Sequence, residues 1–453
     1  MKLSRARSLA VITFCLSLLM VLCEASPGAT AVQQHQARHW SHVTRLSALG
    51  QQAIYPKAAL TARGAWVVWM QQKGPGSNYV IMASERHQGG RWSAPTAISP
   101  AGQIAESPTV VVDSAGVAVA VWDVMSSSSL PFVQAAYQPS VGGRWSKPMR
   151  VSPSGIDAGQ ASAGIDEKGQ AYAVWNSIGR VNRIEAASLR PGHGKWSKPD
   201  VLAKSAHELL DPQVAVNAAG RAVAVWKNPV GEGSGSTLTR AQVESAAKLP
   251  NRTTWGAPVR LGTEFEPSGQ GVASPVLPGP HVSVDAGGEA VAVWQGRSGR
   301  TIVPMAATGT GRQWGRPVVL SKAAALYPAV AMDPGGDAAV VWEGPRGQVV
   351  ATDRPARSRH WAAPKVLNPG GRSLVAYPQI AVGAGGEVIA AWSGTAVEAA
   401  VRPTIHDAWD RAVKLGAGGL PQVAISPSGT GIAIWQLPTS KPSGITIQEA
   451  DNN

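Results

Sequence analysis

A short apolar run that ends in tryptophan recurs along the chain. It appears as GVAVAVW (116–122), GQAYAVW (169–175), GRAVAVW (220–226), GEAVAVW (288–294), GDAAVVW (336–342), GEVIAAW (386–392) and GTGIAIW (429–435), with a shortened first copy, GAWVVW, at 64–69. These runs are apolar at nearly every position rather than every second one, which predicts strands buried on both faces. A second β-rich run precedes each, and five of these are entered by proline: PTVVVD (108–113), PQVAVN (212–217), PHVSVD (280–285), PAVAMD (328–333) and PQIAVG (378–383). Proline is tolerated at the first residue of a strand. Asp-x-x-Gly or a variant joins the two runs and predicts a tight turn. Third strands such as FVQAAYQP (132–139) and AVEAAVRP (396–403) follow, then a glycine-rich turn and a fourth strand such as RWSKPMRVS (144–152). No segment has helical periodicity.

The tryptophans that close the apolar runs are residues 69, 122, 175, 226, 294, 342, 392 and 435, about 52 residues apart on average, a spacing within the range of propeller blades. A second series, 40, 92, 145, 196, 255, 314, 361 and 409, opens the fourth strands, often as Trp-small-x-Pro; of the 17 tryptophans only Trp66 belongs to neither series. Four antiparallel strands repeated at this spacing predict an all-β, eight-bladed β-propeller of four-stranded blades, one domain over 40–453. An orphan outer strand, WSHVTRLS (40–47), and a terminal third strand, GITIQEA (444–450), are expected to share one blade and close the ring. Both tryptophan series are expected to be packing wedges between sheets, each ring hiding roughly 150–250 Å².

The first residues, MKLSRARSLAVITFCLSLLMVLCEASPGATA, have a basic start and an apolar run over Leu9–Cys23, followed by small-residue cleavage sites after Ala25 or Ala31. This is the layout of a secretory signal peptide, and residues 1–25 are assigned to it. Localisation is therefore expected to be secreted or exposed at the cell envelope. Leu22 argues against lipidation at Cys23. Cys15 and Cys23 are the only cysteines, so the mature chain is expected to be held by packing without disulfides.

The turn-plus-tryptophan phrases HQGGRW (87–92), SVGGRW (140–145) and PGHGKW (191–196) resemble the Asp-box of BNR, sialidase-like propellers. The glycine and tryptophan fit; the aspartate is absent from all three. The resemblance implies a secreted repeat propeller over about 40–453. The Arg-Ile-Pro string of that group is approached only by RTIVP (300–304), which breaks the pattern, so no catalytic residue carries over.

In a propeller, the loops from strand four to strand one and from strand two to strand three emerge on one face. The residue before the inner-strand proline is expected to line that mouth: Tyr55, Ser107, Asp211, Tyr327, Tyr377 and Leu420. The residue after each strand-two tryptophan faces the same way: Asp123, Asn176, Lys227, Gln295, Glu343, Ser393 and Gln436. These vary while the framework repeats, as one asymmetric ligand rim requires. Carboxylates for acid–base work on this face would come from Glu106, Asp123, Glu208, Asp211, Glu264, Glu266 and Glu343. His35, His39 and His42 have metal-like spacing but lack a fourth ligand; no metal or cofactor is expected.

The formal charge of +13 favours anionic partners, and the basic residues are spread over every repeat rather than gathered in a run, which argues against nucleic acid. The expectation is a monomeric, non-enzymatic propeller that binds an anionic glycan, a wall polymer or a protein partner on its loop face. A divergent sialidase-like glycoside hydrolase and a structural surface protein are the alternatives.

Overall fold

The doubly apolar runs form the second strands of radially arranged sheets. In the computed structural model the described residues are 39–41, 43–48, 52–73, 78–125, 129–190, 194–230, 240–265, 279–368, 376–437 and 445–451; residues 1–38, with both cysteines, lie outside them. Residues Ala37–Asn453 group as one compact unit. Blade 1 runs outward through Ala53–Thr61, Gly64–Gln72, Tyr79–His87 and Thr96–Ala97. Blades 2 to 7 repeat this order from the inner strands Ile104–Val112, Asp157–Ile165, Leu210–Val216, His281–Val284, Leu326–Met332 and Ala376–Val382. All pairings are antiparallel between consecutive strands. The protein is thus an all-β propeller of four-stranded antiparallel blades.

The expected count of eight such blades is corrected to seven: seven sheets have four strands, and the last repeat forms a five-stranded closing sheet instead. Its strands Gly419–Ile425, Gly431–Gln436 and Ile445–Asp451 are flanked by two separate N-terminal strands, His39–Trp40 and Thr44–Arg45, both paired with the last of them. Register explains the break. Trp40 lies opposite Ala450 and Thr44 opposite Ile447, so the N-terminal segment has one residue too many for a continuous ladder. The amide of Leu46 donates to the carbonyl of Ile445 (2.9 Å), and the amide of Ile445 to the Ser47 hydroxyl (2.8 Å).

The closing tryptophans are the wedges. Trp69, Trp122, Trp175, Trp226, Trp294, Trp342, Trp392 and Trp435 are at most 1% exposed, and each lies in a cluster spanning two neighbouring sheets, as Trp122 does between blades 1 and 2 and Trp435 between blade 7 and the closing sheet. Burying such a ring contributes about 4–6 kcal/mol gross, an upper bound. Most of their indole N–H groups find acceptors, such as Gln134 Oε1 for Trp122 (3.1 Å) and Glu398 Oε2 for Trp392 (3.1 Å). The second series is half-buried at the outer edge. There the residue after each ring bonds back to strand three: Ser146 N donates to the Tyr137 carbonyl at 2.7 Å, and its Oγ accepts from Tyr137 N at 3.1 Å. The amide contact recurs where glycine or alanine follows the ring, as at Gly256, Gly315 and Ala362; the hydroxyl contact is added only by the serines.

The Asp-x-x-Gly turns close the other end. Asp113 Oδ1 accepts the Val117 amide at 2.8 Å, and Asp285 Oδ1 accepts that of Glu289 at 2.7 Å. The turn glycines, for example Gly116 and Gly288, have φ of +89°, the left-handed region that glycine enters without steric cost.

Candidate functional site

Each inner strand of six blades and the closing sheet carries the same irregularity at its loop-face end. Tyr55, Ser107, Gln160, Asp211, Tyr327, Tyr377 and Leu420 have φ between 50° and 59°. At each the ladder register shifts, as between Ile54 and Lys57 or between Glu106 and Thr109. All but Gln160 precede proline. The proline ring disfavours the right-handed helical region for the residue before it and cannot donate to the ladder, so the strand bulges there. A bulky non-glycine residue held left-handed is strained by about 1–3 kcal/mol, and here the strain repeats around one ring of positions.

The residue after the strand-two tryptophan pins this bulge in the next sheet. The amide of Gln160 donates to Asp123 Oδ2 (2.8 Å) and that of Ala161 to Asp123 Oδ1 (3.3 Å). Tyr327 N donates to Gln295 Oε1 (2.9 Å), Leu420 N to Ser393 Oγ (2.9 Å) and Tyr55 N to Gln436 Oε1 (3.1 Å). In blade 1 a methionine takes the role, Met70 Sδ accepting from Ser107 N at 3.4 Å. Asn176 reaches the Leu209 carbonyl instead (3.1 Å), and Gln160 Oε1 receives the amide of Asp211 (2.8 Å). Burial drives the Asp123 carboxyl up to about 7 against the two amides that lower it, with Glu106 directly opposite it in the ladder adding to the rise.

The sequence-predicted residues therefore share one end of the ring, but with two kinds of surroundings. Asp123, Asn176 and Gln295 are buried and engaged with backbone. Lys227 is buried and paired with Asp211 at 2.5 Å. Ser107, though half-buried at the mouth, has a side chain too small to do more than line it. Glu208, in the same arc, has its carboxyl raised by burial and by Asp157 and Asp211. Glu264 is 1% exposed in the outermost strand of blade 4. Glu266, His35 and His42 lie outside the described residues.

On the other side of the mouth the structure gathers a tyrosine arc. The rings of Tyr327 and Tyr377 lie 4.9 Å apart at 45°, a tilted contact typical of aromatic pairs. Tyr377 is raised by burial, by Glu343 and by Tyr55; Tyr55 is raised by burial, by Glu106 and by Tyr79. These couplings place Tyr55, Tyr79, Tyr377, Glu106 and Glu343 in one neighbourhood, all half-buried. Burial pushes the Glu343 carboxyl up to about 7, and its Oε2 is buried without a hydrogen-bond partner among the described residues. Burial also raises the Glu106 carboxyl. Tyr79, whose hydroxyl donates to Gln52 Oε1 at 2.8 Å, was missed by sequence reasoning. It opens the third strand of blade 1, and strand-three starts share this face, so the signal was present. Gln160 was missed because alanine replaces the proline after it.

No family model matches the sequence, and no curated protein matches it. Among solved structures it is similar to a ulvan lyase described as a new family of polysaccharide lyase (11% identity, 90% of this chain and 95% of that one, TM-score 0.45). It is also similar to a sialidase from Streptococcus pneumoniae (10%, 90% and 94%, 0.41) and to a Hadza microbial sialidase (11%, 92% and 97%, 0.37). The propeller assignment itself rests on the strand pairings above.

Proposed function

We propose that the protein is an exported propeller that binds a glycan on its loop face, at the arc formed by Tyr55, Tyr327 and Tyr377. The observation that carries this reading is the recurrence of tyrosine at three strained bulges on one side of the mouth, the exposed parts of Tyr55 and Tyr377 packed beside the buried Tyr327 and flanked by Glu106 and Glu343. Aromatic faces take the apolar face of a sugar ring, and carboxyl groups take its hydroxyls; a few convergent polar groups beside aromatic walls are the usual make-up of a ligand site. The basic balance of the chain favours an acidic glycan or wall polymer over a neutral one. The chain acts as a monomer in this reading.

One observation favours a second reading, glycoside hydrolysis. A carboxyl that titrates near 7, as Glu343 does, is suited to proton donation at neutral pH, and Glu106 stands in the same arc as a second carboxylate. A glycan array probed with the wild type and with Tyr55→Ala/Tyr377→Ala, run beside a panel of fluorogenic glycosides, separates the readings. Retention on an acidic glycan that the double variant loses supports binding. Turnover lost in Glu343→Gln supports hydrolysis. Neither retention nor turnover refutes both and leaves a protein partner or a structural surface role.

A further inference from the structure

The residue immediately after each bulge, with His281 at the same register in the unbulged blade 5, forms one layer around the central channel, and that layer is polar. It comprises Lys57, Thr109, Ser162, Gln213, His281, Gln379 and Gln422, with only Ala329 apolar. Lys57 and His281 belong to blades 1 and 5, on opposite sides of the ring, and they feel each other: Lys57 is one cause of the low basicity of His281. The Lys57 ammonium donates to Gln422 Oε1 at 3.0 Å. It has no ion-pair partner among the described residues, and burial alone shifts it, down to about 8. No carboxylate contributes. His281 is pushed down to about 4, so its imidazole is neutral at physiological pH and offers a ring N–H. The side-chain amides of Gln213 and Gln379 make no hydrogen bond among the described residues. Two residues further along the strand from Lys57 the channel continues as a cavity of about 380 Å³, lined by Ala59, Val110, Val112, Ile165, Val214, Val216 and the polar Ser283 among others.

A cation without a countercharge, facing unengaged amides and a neutral imidazole, is complementary to one kind of guest. We propose that this layer binds a small oxyanion, a carboxylate or sulfate group, with Lys57 as its charge partner. The site lies two residues along the strand from Tyr55 and stands whether or not the tyrosine arc binds a glycan.

The test is isothermal titration of the full chain at pH 7 with acetate, sulfate and glucuronate, paired with thermal melts, on wild type, Lys57→Met and Tyr55→Ala. The expected result is saturable 1:1 binding in the wild type with a rise in Tm of about 2–4 °C near saturation. In Lys57→Met both are lost. Without added oxyanion that variant melts higher than the wild type, because an uncompensated charge has been removed from the channel. At pH 9.5, above the titration of Lys57, wild-type binding weakens at least tenfold. Tighter binding of glucuronate than of acetate, reduced to equality in Tyr55→Ala, marks a carboxylate carried on a sugar; equal affinities mark a free anion. Absence of binding in the wild type, or equal binding in Lys57→Met, overturns the proposal. Should Lys57→Met fail to fold, Lys57→Gln serves the same comparison, and folding of both variants is followed by circular dichroism.

Discussion

Asparagine in place of Asp123 separates two properties of the same side chain, its acceptors and its charge. The carboxylate holds the Gln160 and Ala161 amides at 2.8 and 3.3 Å and is 7% exposed. Asparagine keeps one acceptor, enough for Gln160, and leaves the Ala161 amide with a poorer partner, a pH-independent loss of about 1 kcal/mol. The charge acts in the opposite sense. In the folded chain the carboxyl titrates near 7, in the unfolded chain near 3.8. Folding therefore takes up a proton between those values. Its contribution to stability is full below about pH 4 and is lost as pH rises through 7. Three pH units correspond to about 4 kcal/mol as a ceiling. The high effective dielectric even of buried sites brings this to about 2 kcal/mol. Urea or thermal melts of wild type and Asp123→Asn from pH 4.5 to 8.5 should thus give stability curves that cross: the variant is weaker at pH 5 and equal or stronger at pH 8. His281 has the opposite slope between about 4 and 6.5, but it is common to both proteins and cancels in their difference. Parallel curves, or a wild type that gains on the variant as pH rises, would refute the reasoning.

Glu343→Gln should leave stability at pH 5 nearly unchanged and raise it at pH 8 by about 1 kcal/mol, after discounting for the solvent that reaches this half-buried group; melts at the two pH values decide it. Ser107→Gly relieves a left-handed residue, φ 51°, whose side chain makes no hydrogen bond among the described residues, and should stabilise by up to about 1 kcal/mol in urea titrations. Trp122→Ala empties a fully buried site between blades 1 and 2 and strands Gln134. It should cost about 3–5 kcal/mol, whereas the half-buried Trp145→Ala should cost clearly less.

The strand order and the wedge role of the inner tryptophans were legible because both follow from local apolar periodicity and recurrence. The blade count was not, since it turned on one surplus residue between Trp40 and Thr44, a register effect that composition does not show. The rim was half legible. Proline marks six of the seven bulges, so Tyr55, Tyr327 and Tyr377 were found. Variation at Asp123, Gln295, Ser393 and Gln436 suggested a ligand rim. Yet these very different side chains all accept a backbone amide from the neighbouring sheet, and any acceptor of suitable reach serves. The Lys57–His281 pair escaped notice because residues 57 and 281 meet only across the ring, a proximity that no linear pattern encodes.

The junction of Leu46 and Ser47 with Ile445 joins residues 398 positions apart. Without Ile445–Asp451 the strand Gly431–Gln436 and the N-terminal strands His39–Trp40 and Thr44–Arg45 lose their ladder partner, and unpaired strand edges recruit other chains. Removing that one strand would leave these edges of the closing sheet open, so aggregation of such a variant should appear well before the blades themselves unravel.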